Sequence, residues 1–327
     1  MNIQLKSVCQ IEMTDREAVG LPDNYIDNII SKNNFNKINL MTQDIKSLVN
    51  IVESKKPIAE RYYAGLLLSL IGDPRIDPLN PTMIHIDATE FVMGISEEQA
   101  DKVVEQYKKL GVMSKWIYKE CPEHKVKCPA FSIAKYPITN IEYRVFLLET
   151  KYTGIPSSWR LGQFPIEKAN HPVYSVTLFD IEKYIEWLNQ KTQENYRLPT
   201  EVEWELAASG GQKREFPWGD KFNAFLLNTV ETGIYMTTPV GMFSAGQSPF
   251  GVMDMAGNVE EFVDNNYYVY PGGELQKDHL NEMTETYRVA RGGSFARFSD
   301  LARTTRRHGK FPHFDREIFA MGFRLAK

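Results

Sequence analysis

The chain is predicted to be a loop-rich α+β protein preceded by a small helical unit, and three observations carry that prediction. Helical apolar spacing dominates residues 42–71. The stretch Asp73-Pro-Arg-Ile-Asp-Pro-Leu-Asn-Pro81 then places three prolines in nine residues, which is linker chemistry. From Met83 the texture changes to short strands, turns and a few well-capped helices, with almost no helical periodicity after Ser209. The domain boundary is therefore placed at the linker, with residues 1–80 as a helical N-terminal domain and residues 83–327 as the main domain.

A weak helix is expected around Tyr25–Ile30. A better one follows Thr42, where Ile45, Leu48, Val49 and Val52 fall on one stripe. The next starts at Pro57, runs through Tyr62, Tyr63, Leu66, Leu67 and Leu70, and is stopped by Gly72 and Pro74. Glu97–Leu110 reads as a charged helix, and Ala130–Tyr136 alternates as a strand. Thr139 with Glu142 forms a capping-box pattern, stapled by Ile138 and Tyr143, and Thr177 with Asp180 and Thr200 with Glu203 repeat it. No repeat of ~20–50 residues is visible.

The 327 residues are 43% hydrophobic and 24% charged, with a formal net charge of -4. That balance makes no global basic field, so nucleic-acid binding is not indicated and attachment to an anionic membrane is not expected. No window approaches the roughly 18 apolar residues of a membrane span, and the first ten residues lack the pattern of a secretory signal. A cytoplasmic location is expected. Cys9, Cys121 and Cys128 form no disulfide framework in a chain of this length.

The segments that carry most information are Arg197-Leu-Pro-Thr-Glu-Val-Glu-Trp204, Asp254-Met-Ala-Gly-Asn-Val-Glu-Glu-Phe262, Arg291-Gly-Gly-Ser-Phe295 and Gly322-Phe-Arg324. With them come Phe91-Val-Met-Gly94, Pro137-Ile-Thr-Asn140, His171-Pro-Val173, Pro217-Trp-Gly-Asp220, Pro239-Val-Gly241 and Phe250-Gly251. In this order and spacing they resemble the sulfatase-modifying-factor family, whose namesake is the formylglycine-generating enzyme, from about Met83 to Lys327. The resemblance implies a modified C-type-lectin-like fold. That fold also serves sulfoxide synthases and hypervariable ligand-binding proteins, so fold alone does not fix function.

Most motif residues have structural readings. Gly251, Gly257, Gly292 and Gly293 suit positive φ or close backbone approach. Trp187, Trp204 and Trp218 are anchors that each need a partner for one N–H. Arg197 and Arg324 are expected to hold loop carbonyls or carboxylates such as Glu201 and Glu205 in forked pairs. Ser294 lacks the strand-turn-helix elbow of a nucleophile.

The resemblance also implies a structural calcium ion on the Asp254–Glu261 loop, with ligands at Asp254, the Gly257 and Val259 carbonyls, and Glu261. Glu260 departs from the family, which usually has Trp there. Copper is not expected, because residues 296–307 contain no cysteine to supply the soft thiolate pair of the formylglycine-generating enzymes. Iron chemistry of the sulfoxide-synthase type needs a histidine triad, and residues 1–80 contain no histidine. A facial site from His308, His313 and Asp315 or Glu317 is the remaining possibility. Cys121, His124 and Cys128 supply too few zinc ligands, and on a strand Cys128 reads as a small core residue.

The terminal segment carries Arg297, Arg303, Arg306, Arg307, Lys310 and Arg316 interleaved with Phe298, His308, Phe311, His313 and Phe314. Guanidiniums beside aromatic faces suit recognition of a carboxylate, a phosphate or an acidic peptide. The expectation is thus a non-catalytic recognition or adaptor protein. Its partner, a protein or charged ligand, would bind through Arg297, Arg303, Arg306, Arg307, His308, Phe311, His313 and Phe314. The alternative is a metal-dependent oxidoreductase of the formylglycine-generating or sulfoxide-synthase type.

Overall fold

The computed structural model describes residues 28–30, 37–278, 286–309 and 319–327. Tyr25 to Asp27 of the first expected helix lie outside them, and 28–30 form a turn. Three helices follow: α1 (Lys37–Met41), α2 (Ile45–Val52) and α3 (Ile58–Ile71). The α2 start moves from Thr42 to Asp44, because the Asp44 carboxylate accepts the Ser47 N–H at 2.7 Å. Pro57 and Gly72 bracket α3 as expected.

These helices are docked on the main domain. Leu48, Val52 and Leu68 share a core with Ile234, Met242 and Phe243. The Arg61 guanidinium donates to the Met242 carbonyl, and Asn170 Nδ2 donates to the Gly65 carbonyl at 3.0 Å. The proline-rich linker is tied down as well. Asp73 and Arg75 form a buried ion pair at 2.6 Å, and Arg75 Nη1 donates to the Val240 carbonyl at 3.0 Å.

The main domain opens with two two-stranded antiparallel sheets. One pairs β1 (Met83–Ile86) with β4 (Phe131–Ala134), and the other pairs β2 (Thr89–Met93) with β3 (His124–Cys128). Between β2 and β3 lie α4 (Glu97–Gln106) and the short α5 (Ser114–Ile117). Cys128 is buried in the core beside Phe91 and Trp204, whereas Cys121 belongs to the separate cluster of Ile95 and Ile117. Helices α6 (Asn140–Thr150), α7 (Leu178–Thr192) and α8 (Glu201–Ser209) begin at the three expected capping boxes.

After α8 the described chain is loops, 3-10 turns and a four-stranded sheet. Its order is β7 (His308–Gly309), β6 (Arg288–Arg291), β5 (Glu260–Asn266), β8 (Met321–Phe323), parallel only between β5 and β8. Side chains alternate across this sheet. Phe262 and Ala290 enter the core of Tyr143, Tyr184 and Phe323, while Val263 and Val289 enter the core of Trp204 and Met255. The sheet therefore separates two apolar cores. Gly257 shows why a motif glycine is required: its φ is +82°, and a Cβ would lie 2.4 Å from the Asn228 carbonyl oxygen.

Candidate active site

Glu260 and Glu261 are adjacent on β5, so their side chains leave the sheet on opposite faces. Glu261 faces the Trp204 side. Its Oε2 accepts from Trp204 Nε1 at 2.8 Å and from Arg324 Nε at 2.6 Å, and its Oε1 accepts from Arg324 Nη2 at 2.6 Å. Asp254 is engaged too: Oδ2 accepts the Gly241 N–H at 2.7 Å and Oδ1 accepts from Asn258 at 3.3 Å. Burial raises the Asp254 pKa to about 6 despite these bonds. Both acids of the expected calcium loop of Asp254, Gly257, Val259 and Glu261 are thus hydrogen-bonded within the protein. A cation at Glu261 would meet the Arg324 guanidinium, which already occupies both carboxylate oxygens.

Glu260, on the other face, is fully buried and points to β7. His308 Nδ1 lies 2.5 Å from Glu260 Oε2, and Arg297 Nε lies 3.6 Å from Glu260 Oε1. Burial alone would raise the Glu260 pKa, but the His308, Arg297 and Arg306 charges around it hold the carboxyl below its usual range. An ionised carboxylate only accepts hydrogen bonds, so Nδ1 of His308 carries the proton given to it. In the neutral ring Nε2 is then the basic nitrogen.

His308 lines a cavity of about 440 Å³ with Arg297, Arg306, Arg307, Lys119 and Asp300 on its polar side. Leu110, Val112, Trp116, Phe298, Leu301 and Phe319 supply the apolar side. Lys119 is buried against Asp278, with its ammonium 5.0 Å from both the Tyr267 and Tyr287 rings. Burial depresses its pKa to about 8, against the opposing bond to Asp278. The volume falls within the range of small-molecule sites.

Of the four arginines expected to bind a ligand, Arg303, Arg306 and Arg307 are buried and Arg297 is partly exposed. Arg303 is buried and forks onto Glu120 at 3.0 and 2.5 Å. Arg307 is buried, forks onto Glu201 at 2.8 and 2.9 Å, and stacks on Tyr270 with its guanidinium carbon 4.0 Å from the ring centroid. Arg306 is buried and donates to the Trp116 and Arg307 carbonyls. Arg297, Arg306 and Arg307 form part of a cavity wall. Phe311, His313, Phe314, Asp315 and Glu317 lie outside the described residues. Arg197 and Arg324 each fork onto a carboxylate and reach loop carbonyls as expected, but the carboxylates are Glu203 and Glu261. Glu201 and Glu205 instead pair with Arg291.

Sequence reading did not place Glu260 at the candidate site. The signal was present in its departure from the family's Trp. Lys119, Asp278 and Trp116 left no comparable signal, because only the fold brings 110–119 against 297–308.

The sequence profile described as the sulfatase-modifying factor enzyme 1-like domain matches residues 72–327. The chain belongs to that family. Hercynine oxygenase of Mycolicibacterium thermoresistibile is 32% identical over 243 residues, covering 63% of this chain and 53% of that protein. This chain thus spans about half the length of that relative. The inactive C-alpha-formylglycine-generating enzyme 2 of Mus musculus is 27% identical over 80% of this chain and 91% of its own. Among solved structures, PvdO from Pseudomonas aeruginosa matches with a TM-score of 0.57 and 26% identity, over 76% of this chain and 94% of its own.

These similarities confirm the loop-rich α+β, formylglycine-generating-enzyme-like fold. They correct the functional expectation. The resemblance to an oxygenase, at higher identity than to the inactive enzyme, overturns the reading of a non-catalytic adaptor and the leaning against enzymatic activity. No helix among the described residues is long and apolar enough to cross a membrane.

Proposed function

We propose that this sulfatase-modifying-factor protein is an oxidoreductase of the formylglycine-generating or sulfoxide-synthase type, and that its reaction takes place in the cavity beside Glu260 and His308. The observation that carries the reading is the 2.5 Å Glu260–His308 contact at the wall of a cavity of small-molecule size. The similarity to hercynine oxygenase supplies the reaction class.

The chain's own residues have definite roles in this reading. Glu260 orients the imidazole through Nδ1, and His308 Nε2 takes or returns the proton that accompanies oxidation by dioxygen. The apolar wall of Trp116, Leu301 and Phe319 limits water around the reacting group. Among the described residues no group of three or more His, Cys, Asp and Glu side chains could hold a metal. His308 and Glu260 are hydrogen-bonded to each other.

The test is dioxygen uptake by purified protein, with its metal content measured in parallel, after addition of hercynine with cysteine or of a cysteine-containing peptide. Uptake is expected in the parent chain and should fall by ~10²-fold or more in His308→Ala. Absence of dioxygen-dependent turnover with every substrate, in protein supplied with iron or copper, would sink the reading.

A further inference from the structure

We infer that the substrate of this cavity carries a single carboxylate on an apolar body, and that Arg297 and Arg306 bind the carboxylate. The inference rests on the reading that the cavity beside His308 is the reaction site. It concerns which molecule fits there.

Among the described residues, three buried polar atoms around Glu260 have no hydrogen-bond partner: Glu260 Oε1, Arg297 Nε and Arg306 Nε. An orphaned buried donor is costly, and two guanidinium donors left unpaired on one cavity wall call for an acceptor. Neighbouring carboxylates do not satisfy them. Arg306 Nε stands 3.8 Å from Asp300 and 4.0 Å from Glu120, and Arg297 Nε stands 3.6 Å from Glu260. All three distances exceed a charged hydrogen bond. The other cations of the wall are matched, since Arg307 has Glu201 and Lys119 has Asp278.

The same residues select the charge of the ligand. Around the two guanidiniums, whose Nε donors are unpaired, stand the carboxylates of Glu260 and Asp300, both buried. A dianion such as a phosphate ester would set two further negative charges against both of them, whereas a monoanion adds only one. Beyond the charged end the wall is Leu110, Val112, Trp116, Phe298, Leu301 and Phe319. Such a surface takes an aliphatic or aromatic body by burial. The Arg297 guanidinium is itself placed by Phe319, 5.5 Å from the ring centroid.

Isothermal titration calorimetry of the full chain tests this without turnover, using phenylacetate, its neutral isostere 2-phenylacetamide and the dianion phenylphosphonate. Phenylacetate is expected to bind, and to bind at least about tenfold more tightly than either comparison. Arg297→Gln and Arg306→Gln should each weaken it by about tenfold or more. Arg160→Gln, in the wall of a different cavity, should leave it unchanged. If Arg306→Gln fails to fold, the partly exposed Arg297 carries the test alone, with its melting temperature as the control. Equal binding of phenylacetamide, tighter binding of phenylphosphonate, no binding of phenylacetate at millimolar concentration, or full affinity in a folded Arg297→Gln each overturns the inference. Carboxylate binding without dioxygen uptake would retain this subsite and sink the oxidoreductase reading. Turnover of neutral substrates would do the reverse.

Discussion

His308 Nδ1 lies 2.5 Å from Glu260 Oε2, although 48 residues separate them in the chain, because β7 and β5 flank β6 in one sheet. The contact fixes which imidazole nitrogen is free for chemistry. Nitrogen-15 spectra of labelled protein should show neutral His308 with its proton on Nδ1. In Glu260→Gln that preference should weaken and turnover should fall by ~10²-fold or more. A parent His308 protonated on Nε2 would rule out the assigned role.

Glu261 is expected to be a structural anion whose partner is Arg324. Truncating one member of a buried pair leaves the other charge unpaired, so Glu261→Ala should cost about 3–5 kcal/mol in denaturant unfolding. The loss should be the same with calcium or with chelator, and chelator should not move the parent's melting temperature. A chelator-sensitive melt abolished in Glu261→Ala would restore the calcium loop.

Arg307 and Arg297 should separate in stability. Arg307→Ala leaves Glu201 buried with Arg291 as its remaining cation and removes the stack on Tyr270. It should cost about 3 kcal/mol or more. Arg297 is partly exposed, and its side chain makes a 3.6 Å contact to Glu260 and a 5.5 Å approach to the Phe319 ring but no forked pair, so Arg297→Ala should cost less, about 1 kcal/mol. Comparable losses in chemical denaturation would contradict the assignment of Arg307 to the interior.

Glu142 supplies a pH signature. Burial raises its pKa to about 7 from 4.5, although the Thr139 hydroxyl and N–H both donate to its Oε2. Between those values the native state keeps a proton that the unfolded chain has released. Its contribution to stability therefore falls as pH rises from about 4.5 to 7, by at most ~3 kcal/mol. Glu142→Gln should remove that slope. An unchanged stability profile across this window would show that Glu142 is ionised throughout.

Docking of the N-terminal helices should depend on Gly65. A Cβ there would stand 2.5 Å from Pro239 Cγ, so Gly65→Ala should destabilise the protein by about 1–3 kcal/mol despite the better helix propensity of alanine. Limited proteolysis should then release residues 37–71 sooner. A stabilised Gly65→Ala would mean that α3 does not pack against Pro239.

The sequence by itself determined what depends on neighbours along the chain. The three capping boxes at Thr139, Thr177 and Thr200 were legible because a cap and its reciprocal carboxylate lie three residues apart. Gly251, Gly257, Gly292 and Gly293 were legible because positive φ leaves few other residues, and all four adopt it. The family motifs carried the fold for the same reason, since their order is itself a property of the chain. Partners across the fold were not legible. A carboxylate in sequence does not say which guanidinium will reach it, so Arg324 took Glu261, Arg291 took Glu201 and Glu205, and the arginine-rich segment turned inward onto Glu120 and Glu201. Only the pleat of β5 decided that Glu261 is spent on the core while Glu260, one residue before it, is presented to His308.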